Sequence, residues 1–279
     1  MHVNEYLCIK IVNIMNKKGE RTIMMKKLVS LMLVAAMALT VVACGAKKEE
    51  APATAETTEE KAVLVMATNA EFPPYEYYEG QDIVGIDAEI AAVIAEKLGC
   101  ELKIEDMAFD SIIAAVTSGK ADFGLAAMTV TEDRLESVNF SDTYATATQV
   151  VIVAEDSEIA GVADLEGKKI GVQLGTTGDI YAEDVADATI ERYNKGFEAV
   201  QALAQGKIDA VIIDNEPAKV FVSENEGIKI LEEDFAVEEY AAAIAKENTE
   251  LLEKFNTALA ELKAEGKIDE IIAKYIKAE

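Results

Sequence analysis

The feature that most constrains the fold is a regular alternation of helix and strand signals that begins near Ala62. The first apolar run has the composition of a buried strand, and Asp87 starts a segment whose apolar residues recur at helical spacing until Gly99. A predicted helix at 110–118 and a predicted strand at 123–127 follow. Strands that alternate with helices form mainly parallel sheets with helices on their faces, so the sequence predicts an α/β fold.

One short pattern occurs twice. Gly119-Lys120-Ala121-Asp122 follows a predicted helix and leads into an apolar strand, and Gly206-Lys207-Ile208-Asp209 does the same. One explanation is local, because a glycine followed by a lysine suits many helix ends. The explanation that we favour is that the chain forms two lobes of similar architecture, with a ligand cleft between them.

Polar segments in the first half follow predicted strands, where open parallel sheets bind ligands. Asn69, Glu71 and Phe72 come directly after the first strand, and Phe72 is either a pocket wall or a core residue. Arg134 lies in the first turn of a short helix that Thr131 can cap. A positive charge there opposes the helix dipole. We therefore expect the guanidinium of Arg134 to bind a carboxylate in a bidentate manner, although pairing with a nearby acid would also explain an arginine at this position.

A glycine loop and a strand-end acid are the candidates in the second half. Residues 174–179 open a helix and offer backbone amides to an anion. They lack the Gly-Lys-Ser/Thr ending of a nucleotide-binding P-loop. Asp214 ends an apolar strand, where a carboxylate is costly unless it meets a cation, or else caps the next helix. A guanidinium in one half and a carboxylate in the other suit a zwitterion, and hence an α-amino acid.

Composition excludes several classes of function. Cleavage before Cys44 would leave 50 of the 52 acidic and 20 of the 26 basic residues, a net charge of about −30 that repels nucleic-acid phosphates. The only histidine is His2, upstream of that cleavage, so the mature chain can form neither a Ser-His-Asp nor a Cys-His site, nor a histidine-ligated zinc site. We expect no metal, no cofactor and no enzymatic activity, and we expect Cys100 to be a small packed residue.

The N-terminal part carries an export signal. Lys26 and Lys27 precede a 16-residue apolar stretch, which is short of the length that spans a bilayer. The stretch ends in Val41-Val42-Ala43-Cys44-Gly45, which resembles the lipobox of bacterial lipoprotein signal peptides, where the cysteine becomes the lipidated first residue. The alternatives are an ordinary signal peptide that contains a cysteine and an uncleaved membrane anchor.

These segments predict how the N-terminal part is divided. Residues 1–24 have no signal character, and Lys17-Lys18-Gly19-Glu20 could be encoded by a ribosome-binding site, so we interpret this segment as a start codon assigned too early. Residues 25–43 are the signal peptide, and 44–61 hold Cys44 and a disordered tether rich in Glu, Ala, Thr and Lys. The arrangement predicts a protein that is lipid-anchored on the outer face of the cytoplasmic membrane.

Longer motifs point to a family. From about Ala62 to its end the chain resembles the bacterial extracellular solute-binding proteins of family 3, the amino-acid-binding subunits of ABC importers. The resemblance rests on TNAEFPPYEY, VGIDAEIAAVIAEKLG, FDSIIAAVTSGKADFGLAAMTVTEDR, NFSDTY, DLEGKKIGVQLGTTGD and GKIDAVIID. It implies the two-lobed, periplasmic-binding-protein-like fold of type II. Lobe 1 would comprise 62–147 plus 241–279 and lobe 2 would comprise 148–240, with hinge strands that cross at 149–153 and 241–246.

The resemblance also implies roles for single residues. Arg134 would grip the α-carboxylate of the ligand and Asp214 its α-ammonium, while Phe72 and Phe109 would sandwich its side chain. The other implied contacts are polar or backbone groups, namely Asn69, Glu71, Ala126, Ala127, Thr129, Gln173, Gly175, Thr176 and Thr177. Several relatives carry an aspartate where this chain has Asn69, which argues against a basic ligand without excluding one.

The implied function is the capture of a polar amino acid in the cleft and its delivery to an ABC permease and ATPase. The protein is expected to be a monomer and not an enzyme. Two alternatives use the same scaffold: a dehydratase for prephenate- or arogenate-like acids, and a lipoprotein sensor that binds the same ligand without a permease.

Overall fold

The computed structural model describes residues 61–277, so the predicted start extension, signal peptide, Cys44 and nearly all of the tether lie outside the described residues. In chain order the strands are β1 (Val63–Thr68), β2 (Glu71–Phe72), β3 (Glu76–Glu79), β4 (Asp82–Val84), β5 (Glu101–Asp106), β6 (Phe123–Gly124), β7 (Val138–Phe140), β8 (Ala145–Ala154), β9 (Lys169–Gln173), β10 (Thr189–Tyr193), β11 (Ala210–Asp214), β12 (Ile228–Ile230), β13 (Ala236–Tyr240) and β14 (Ala243–Ala245). The α-helices are α1 (Ile86–Lys97), α2 (Ile112–Thr117), α3 (Glu132–Ser137), α4 (Thr177–Glu183), α5 (Gly196–Ala204), α6 (Asn215–Glu224), α7 (Thr249–Ala264) and α8 (Lys267–Tyr275).

The first sheet has the strand order β5-β1-β6-β14-β7. Because side chains alternate between the faces of a strand, Leu64 and Met66 of β1 join the apolar core beneath α1, whereas Ala67 joins a second core beneath α2. Both faces of β1 are therefore covered, as its continuous apolar run predicted. Strands β2, β3 and β4 form a small antiparallel sheet of their own.

The second sheet has the order β10-β9-β11-β8-β12, and β13 also pairs with β8. Helices α5 and α6 cover one face through Val200 and Phe221, and α4 covers the other through Ala182. Both sheets are mixed, whereas the sequence predicted mainly parallel ones. Every antiparallel pairing in these two sheets involves β8 or β14, strands that the regular helix–strand alternation does not include.

The chain passes between the two sheets along an antiparallel pair of strands. Residues 145–149 of β8 pair with 236–240 of β13, which leads directly into β14 of the first sheet. The predicted crossing segments were wrong by a few residues, since 149–153 pairs with β11 inside the second sheet and 243–245 belongs to the first. The error has a simple cause: β8 is one continuous run of small and apolar residues, and composition does not mark where it leaves one sheet for the other.

The repeated Gly-Lys-x-Asp pattern forms equivalent structures in the two sheets. Gly119 and Gly206 end their helices with positive φ angles of 72° and 68°. Asp122 Oδ2 then accepts a hydrogen bond of 2.7 Å from the backbone amide of Val65 in β1, and Asp209 Oδ2 accepts one of 2.8 Å from the amide of Lys169 in β9. Each aspartate thus ties the end of a helix to the neighbouring parallel strand, which supports the prediction of two units of similar architecture.

The part of the chain that the structure describes contains no helix long and apolar enough to cross a membrane. Within the same range, no group of three or more His, Cys, Asp or Glu residues is arranged to hold a metal ion. Cys100 is a free cysteine that is half-buried and packs against the main core, as predicted.

Candidate ligand-binding site

A cavity lies where strands of both sheets end. The space that it encloses is about 290 Å³, counting the part that opens to solvent. Its lining residues are Asn69, Phe72, Glu76, Phe109, Ala126, Ala127, Thr129, Arg134, Gln173, Thr176, Thr177 and Asp214. The structure thus brings together all of the predicted contact residues except Glu71 and Gly175, and it adds Glu76, which sequence reasoning missed.

The residues after β6 are fixed by a buried aspartate. Ala127 has a positive φ of 45°, which is rare for a residue with a side chain. Its backbone amide donates a 2.7 Å hydrogen bond to Oδ2 of Asp87, and the hydroxyl of Tyr144 donates to the same oxygen at 2.8 Å. The Ala127 amide is therefore occupied within the protein, so any backbone contact of Ala127 with a ligand has to come from its carbonyl.

Arg134 lies within the first turn of α3, where its own amide donates to Thr131 Oγ1 at 3.2 Å. The side chain is only 7% exposed. Nη1 donates to the carbonyl of Thr129 at 2.6 Å and Nη2 to the carbonyl of Gly175 at 3.0 Å. Among the described residues no carboxylate lies within ion-pair distance of the guanidinium, which counts against the alternative in which a nearby acid explains Arg134. Burial lowers the pKa of Arg134, and the negative charges of Glu238 and Asp214 oppose that shift.

The loop after β9 does not present all of the free backbone amides that the sequence predicted. The amide of Gly175 donates to Asp179 Oδ2 at 3.0 Å, and the amide of Thr176 donates to the carbonyl of Gln173 at 3.3 Å. Two of the amides predicted to bind an anion are thus already bonded inside the loop. The hydroxyl oxygen of Thr177 accepts a hydrogen bond of 3.4 Å from Gln149 Nε2. The loop's contribution to the cavity comes from the side chains of Gln173, Thr176 and Thr177.

Asp214 ends β11 and is 6% exposed. It stands just before α6 but accepts no capping hydrogen bond from that helix, so the alternative explanation as a helix cap fails. Its Oδ2 accepts a hydrogen bond from the hydroxyl of Tyr240. Burial, followed by the charge of Glu238, raises the pKa of Asp214 to about 7.

A second buried acid, Glu238 on β13, was not predicted as part of the site. Its Oε2 accepts hydrogen bonds from Thr129 Oγ1 at 2.8 Å and from Gln149 Nε2 at 3.1 Å. Glu238 therefore joins the segment that carries Arg134 to the strand pair that links the two sheets. Glu238 lies between two exposed residues of β13, and nothing in that segment of the sequence pointed to a buried acid.

Glu76 is the other acid that the sequence did not reveal. It starts β3, is 1% exposed and lines the cavity. Burial and the neighbouring charge of Asp87 raise its pKa well above the ordinary value for a glutamate. In the sequence it stands in Glu-Tyr-Tyr-Glu, which reads as a surface strand, and its burial depends on the packing of β3 against α1.

Polar contacts join the two sides of the cavity. Gln173 Nε2 donates to Asn69 Oδ1 at 2.9 Å, and Lys195 forms an ion pair with Glu71. The predicted contact residue Glu71 is thus turned towards a lysine rather than lining the cavity. Phe72 and Phe109 both line it, and the Phe109 ring lies 5.3 Å from the guanidinium carbon of Arg134.

Comparison with known proteins identifies the family. Residues 64–278 match the family of bacterial extracellular solute-binding proteins, family 3. The arginine-binding extracellular protein ArtP of Bacillus subtilis is 34% identical over 260 residues, which cover 91% of this chain and all of that protein. A probable histidine-binding protein of Campylobacter jejuni is 33% identical, over 90% of this chain and 99% of its own.

Solved structures give the same result. An ancestral arginine-binding protein bound to arginine is 40% identical, with a TM-score of 0.75 over 78% of this chain and all of its own. The arginine-, lysine-, histidine-binding protein ArtJ of Geobacillus stearothermophilus is 34% identical, with a TM-score of 0.73 over 77% of this chain and 96% of its own. The chain therefore belongs to family 3 of the bacterial extracellular solute-binding proteins and has their two-lobed α/β fold, that of the type II periplasmic binding proteins.

Proposed function

We propose that the protein is the extracytoplasmic binding subunit of an amino-acid ABC importer and that its ligand is a basic amino acid of the arginine type. One observation carries the ligand class. A cavity with a guanidinium and one carboxylate balances the two charges of an α-amino acid, but this cavity holds a further buried carboxyl, Glu76. A ligand side chain with a positive charge matches it, and the relatives named for arginine support that choice.

The chemistry of the lining residues supports a binding mode. Arg134 holds the α-carboxylate through its charged guanidinium, since its present partners are neutral carbonyls that leave the charge unmatched. Asp214 takes the α-ammonium. Phe72 and Phe109 enclose the aliphatic part of the ligand side chain, and Glu76 receives its charged end. No covalent step is involved.

Capture follows from the position of these groups on both sheets. A ligand that bonds with Arg134 and Asp214 at once stabilises the arrangement in which the two walls of the cavity approach each other. We propose that the lobes are 62–147 plus 241–279 and 148–240, and that β8 and β13 flex between them. The closed protein then delivers the ligand to a permease.

The test is a thermal-shift screen of the twenty amino acids with ornithine and cystine, followed by calorimetry on the strongest ligands. A ligand at 100 times its Kd stabilises by about 2.7 kcal/mol, which for a domain of this size raises Tm by roughly 5–11 °C. We expect L-arginine to give the largest shift. A larger shift from an acidic or apolar amino acid would contradict the ligand class.

Attachment to the membrane is a separate proposal that rests on the lipobox. Cys44 becomes lipidated after cleavage, and the tether holds a monomeric binding domain near its permease and ATPase on the outer face of the cytoplasmic membrane. Cys44→Ala should abolish incorporation of radiolabelled lipid and release the protein from the membrane fraction. Unchanged lipid incorporation would refute it.

A further inference from the structure

Two buried carboxyl groups lie next to each other at the first-sheet side of the cavity. Glu76 at the start of β3 and Asp87 in the first turn of α1 are 1% and 0% exposed, and they are close enough for each carboxyl to shift the pKa of the other. Each has one buried oxygen, Oε2 of Glu76 and Oδ1 of Asp87, with no hydrogen-bond donor supplied by the described residues. Two adjacent buried carboxyls cannot both be ionised without a cation, so a single proton between them satisfies both oxygens.

The surroundings decide which of the two holds the proton. Asp87 Oδ2 accepts from the amide of Ala127 and from the hydroxyl of Tyr144, and both bonds favour its ionised form. Glu76 has no comparable donor, and the charges that act on it, those of Asp87 and Asp214, are both negative. In the ligand-free protein Glu76 is therefore the protonated partner and donates to Asp87. The pKa values agree in direction: burial raises that of Asp87 to about 6, and burial together with the charge of Asp87 raises that of Glu76 well above its ordinary value.

The other titratable groups packed around the pair do not supply a cation. Tyr75 and Tyr144 keep their protons, because burial and the charge of Asp87 raise the pKa of each phenol. Arg134 also lines the cavity, but it is bonded to the carbonyls of Thr129 and Gly175. None of these three groups places a positive charge beside Glu76, so the cation has to come from the ligand.

We propose that Glu76 and Asp87 form a proton-sharing pair through which a cationic ligand side chain is exchanged for a proton. When the charged end of the ligand reaches Glu76, the O–H bond of the Glu76 carboxyl breaks, the proton passes to solvent, and the carboxylate takes the ligand cation as its partner. A neutral side chain leaves the proton in place. Asp87 acts as a positioning residue, since it keeps Glu76 protonated until a cation arrives and also fixes Ala127. The inference rests on the proposed binding of basic amino acids.

L-Arginine and L-citrulline separate this exchange from other proton movements. Citrulline has the same α-carboxylate and α-ammonium as arginine, but a neutral urea replaces the guanidinium, so any proton linked to Asp214 is common to both ligands. Calorimetry of the full chain in detergent, in buffers of different ionisation enthalpy at pH 7, counts the protons released by each. We expect arginine to release about one proton more than citrulline. The ratio of the two affinities should then rise about tenfold per pH unit as pH increases towards the pKa of Glu76.

Three variants test the assignment. Glu76→Gln should remove the extra proton and lower arginine affinity to about that of citrulline. Asp87→Asn should also remove the extra proton but keep the preference for arginine, because its amide can donate to an ionised Glu76. If Asp87 had only a structural role, Asp87→Asn would not remove the extra proton while keeping the preference for arginine. Glu79→Gln, an exposed acid on the same strand, is the matched control and should release the wild-type number of protons.

Equal proton release by arginine and citrulline in the wild type would overturn the inference while leaving amino-acid binding intact. Absence of binding by either ligand would instead contradict the proposed function. The shared proton is then tested without a ligand, by carbon NMR of the glutamate carboxyls in the wild type and Glu76→Gln. A resonance that is protonated at pH 7 and missing from the variant supports the pair, and a Glu76 resonance that is ionised at pH 7 refutes it.

Discussion

The two walls of the cavity are built in different ways. The first wall is built from the first sheet and the small β2-β3-β4 sheet, and it consists of Asn69, Phe72, Glu76, Phe109, Ala126, Ala127, Thr129 and Arg134. The second wall follows strands of the second sheet and consists of Gln173, Thr176, Thr177 and Asp214. The first wall holds the residues that contact the ligand side chain in our proposal, namely Phe72, Phe109 and Glu76. The second wall holds a glycine loop and one carboxylate.

Hydrogen bonds between side chains and backbone groups join the two walls. Arg134 Nη2 reaches the carbonyl of Gly175, and Gln173 Nε2 reaches Asn69. Such bonds are lost when the walls separate. The bonds that Ala127 and Tyr144 donate to Asp87 do not cross between the walls, so they remain. We infer from this difference that the first wall selects the ligand and the second wall controls closure.

The largest expected effect is that of Arg134→Ala. Removing one partner of a buried charge pair costs about 2–5 kcal/mol, which corresponds to a loss of affinity of roughly 30-fold to several-thousand-fold. Because the α-carboxylate that we assign to Arg134 is common to all amino acids, arginine and citrulline should lose affinity in equal proportion. Arg134→Lys keeps the charge without the forked geometry and should fall between. Binding by Arg134→Ala within threefold of wild type would show that Arg134 does not hold the carboxylate.

Asp214→Asn should come next, and its effects on affinity and on stability should differ in sign. The pKa of Asp214 in the ligand-free protein is about 7, above the ordinary value for an aspartate. Folding therefore favours the protonated form, and stability is lost as pH rises from the ordinary value through about 7. The variant removes this loss, so at pH 8 its ligand-free Tm should equal or exceed that of the wild type.

Ligand affinity should increase as pH rises, whereas stability decreases, because the α-ammonium needs an ionised Asp214. In the wild type, citrulline affinity should fall about tenfold for each pH unit below 7. In Asp214→Asn it should be weak and nearly independent of pH. Titration calorimetry between pH 5 and 8 measures both. A variant that is weaker in binding but keeps the wild-type pH dependence would assign the titration to another group.

A smaller effect is expected at Gly175, whose carbonyl accepts the hydrogen bond from Arg134 of the first wall. Gly175 has a φ of +79°, and a Cβ placed on it would lie 3.1 Å from Cβ of Asp110. Gly167 has a similar φ of +71° but open space around its Cβ. Gly175→Ala and Gly167→Ala should therefore share the backbone strain of about 1–2 kcal/mol, and only the first should hinder closure.

Gly175→Ala should bind about threefold to tenfold more weakly than Gly167→Ala, a difference of at most about 1.4 kcal/mol. The ranking of amino acids should stay that of the wild type, because the first wall is untouched. Fluorescence titration with arginine, citrulline and glutamine measures both quantities. A changed ranking would mean that the second wall takes part in selection, and the division between the walls would have to be abandoned.

How much of the site could be predicted depends on whether the deciding contact is local in sequence. Arg134 was found because a cation in the first turn of a helix is unfavourable and demands a reason, and Asp214 because an acid that ends an apolar strand does the same. The Gly-Lys-x-Asp pattern was predictable for the same reason, since helix end, turn and strand are neighbours in the chain.

The buried acids Glu76 and Glu238 could not be predicted in this way. Glu76 is followed by the half-buried Tyr77 and by exposed residues, and Glu238 lies between the exposed Val237 and Glu239, so nothing in their own segments separates a buried acid from a surface one. Glu238 is buried against Thr129, which lies 109 residues away in the chain, and Glu76 is buried by the packing of β3 against α1. The same limit explains why Glu71 was predicted as a ligand contact although its partner is Lys195.

That ion pair gives the smallest expected effect. The side chains of Glu71 and Lys195 are 23% and 38% exposed, and partly exposed ion pairs contribute about 0–1 kcal/mol. Because the pair joins the two sides of the cleft, its loss should speed ligand dissociation rather than slow association. Glu71→Gln should dissociate arginine about twofold to fivefold faster at low salt, and the difference should vanish near 1 M salt, where screening is strong.

Glu183→Gln is the matched control, because it breaks an ion pair with Arg192 that lies within the second-sheet side. Stopped-flow dissociation should show no change in this variant. Lys195→Met should reproduce the faster dissociation of Glu71→Gln, and combining both substitutions should add little, since either one alone removes the pair. If Glu71→Gln instead changes the ratio of arginine to citrulline affinity while Lys195→Met does not, Glu71 contacts the ligand directly. Glu71 would then belong to the selecting wall, and the ion pair with Lys195 would be replaced when the ligand binds.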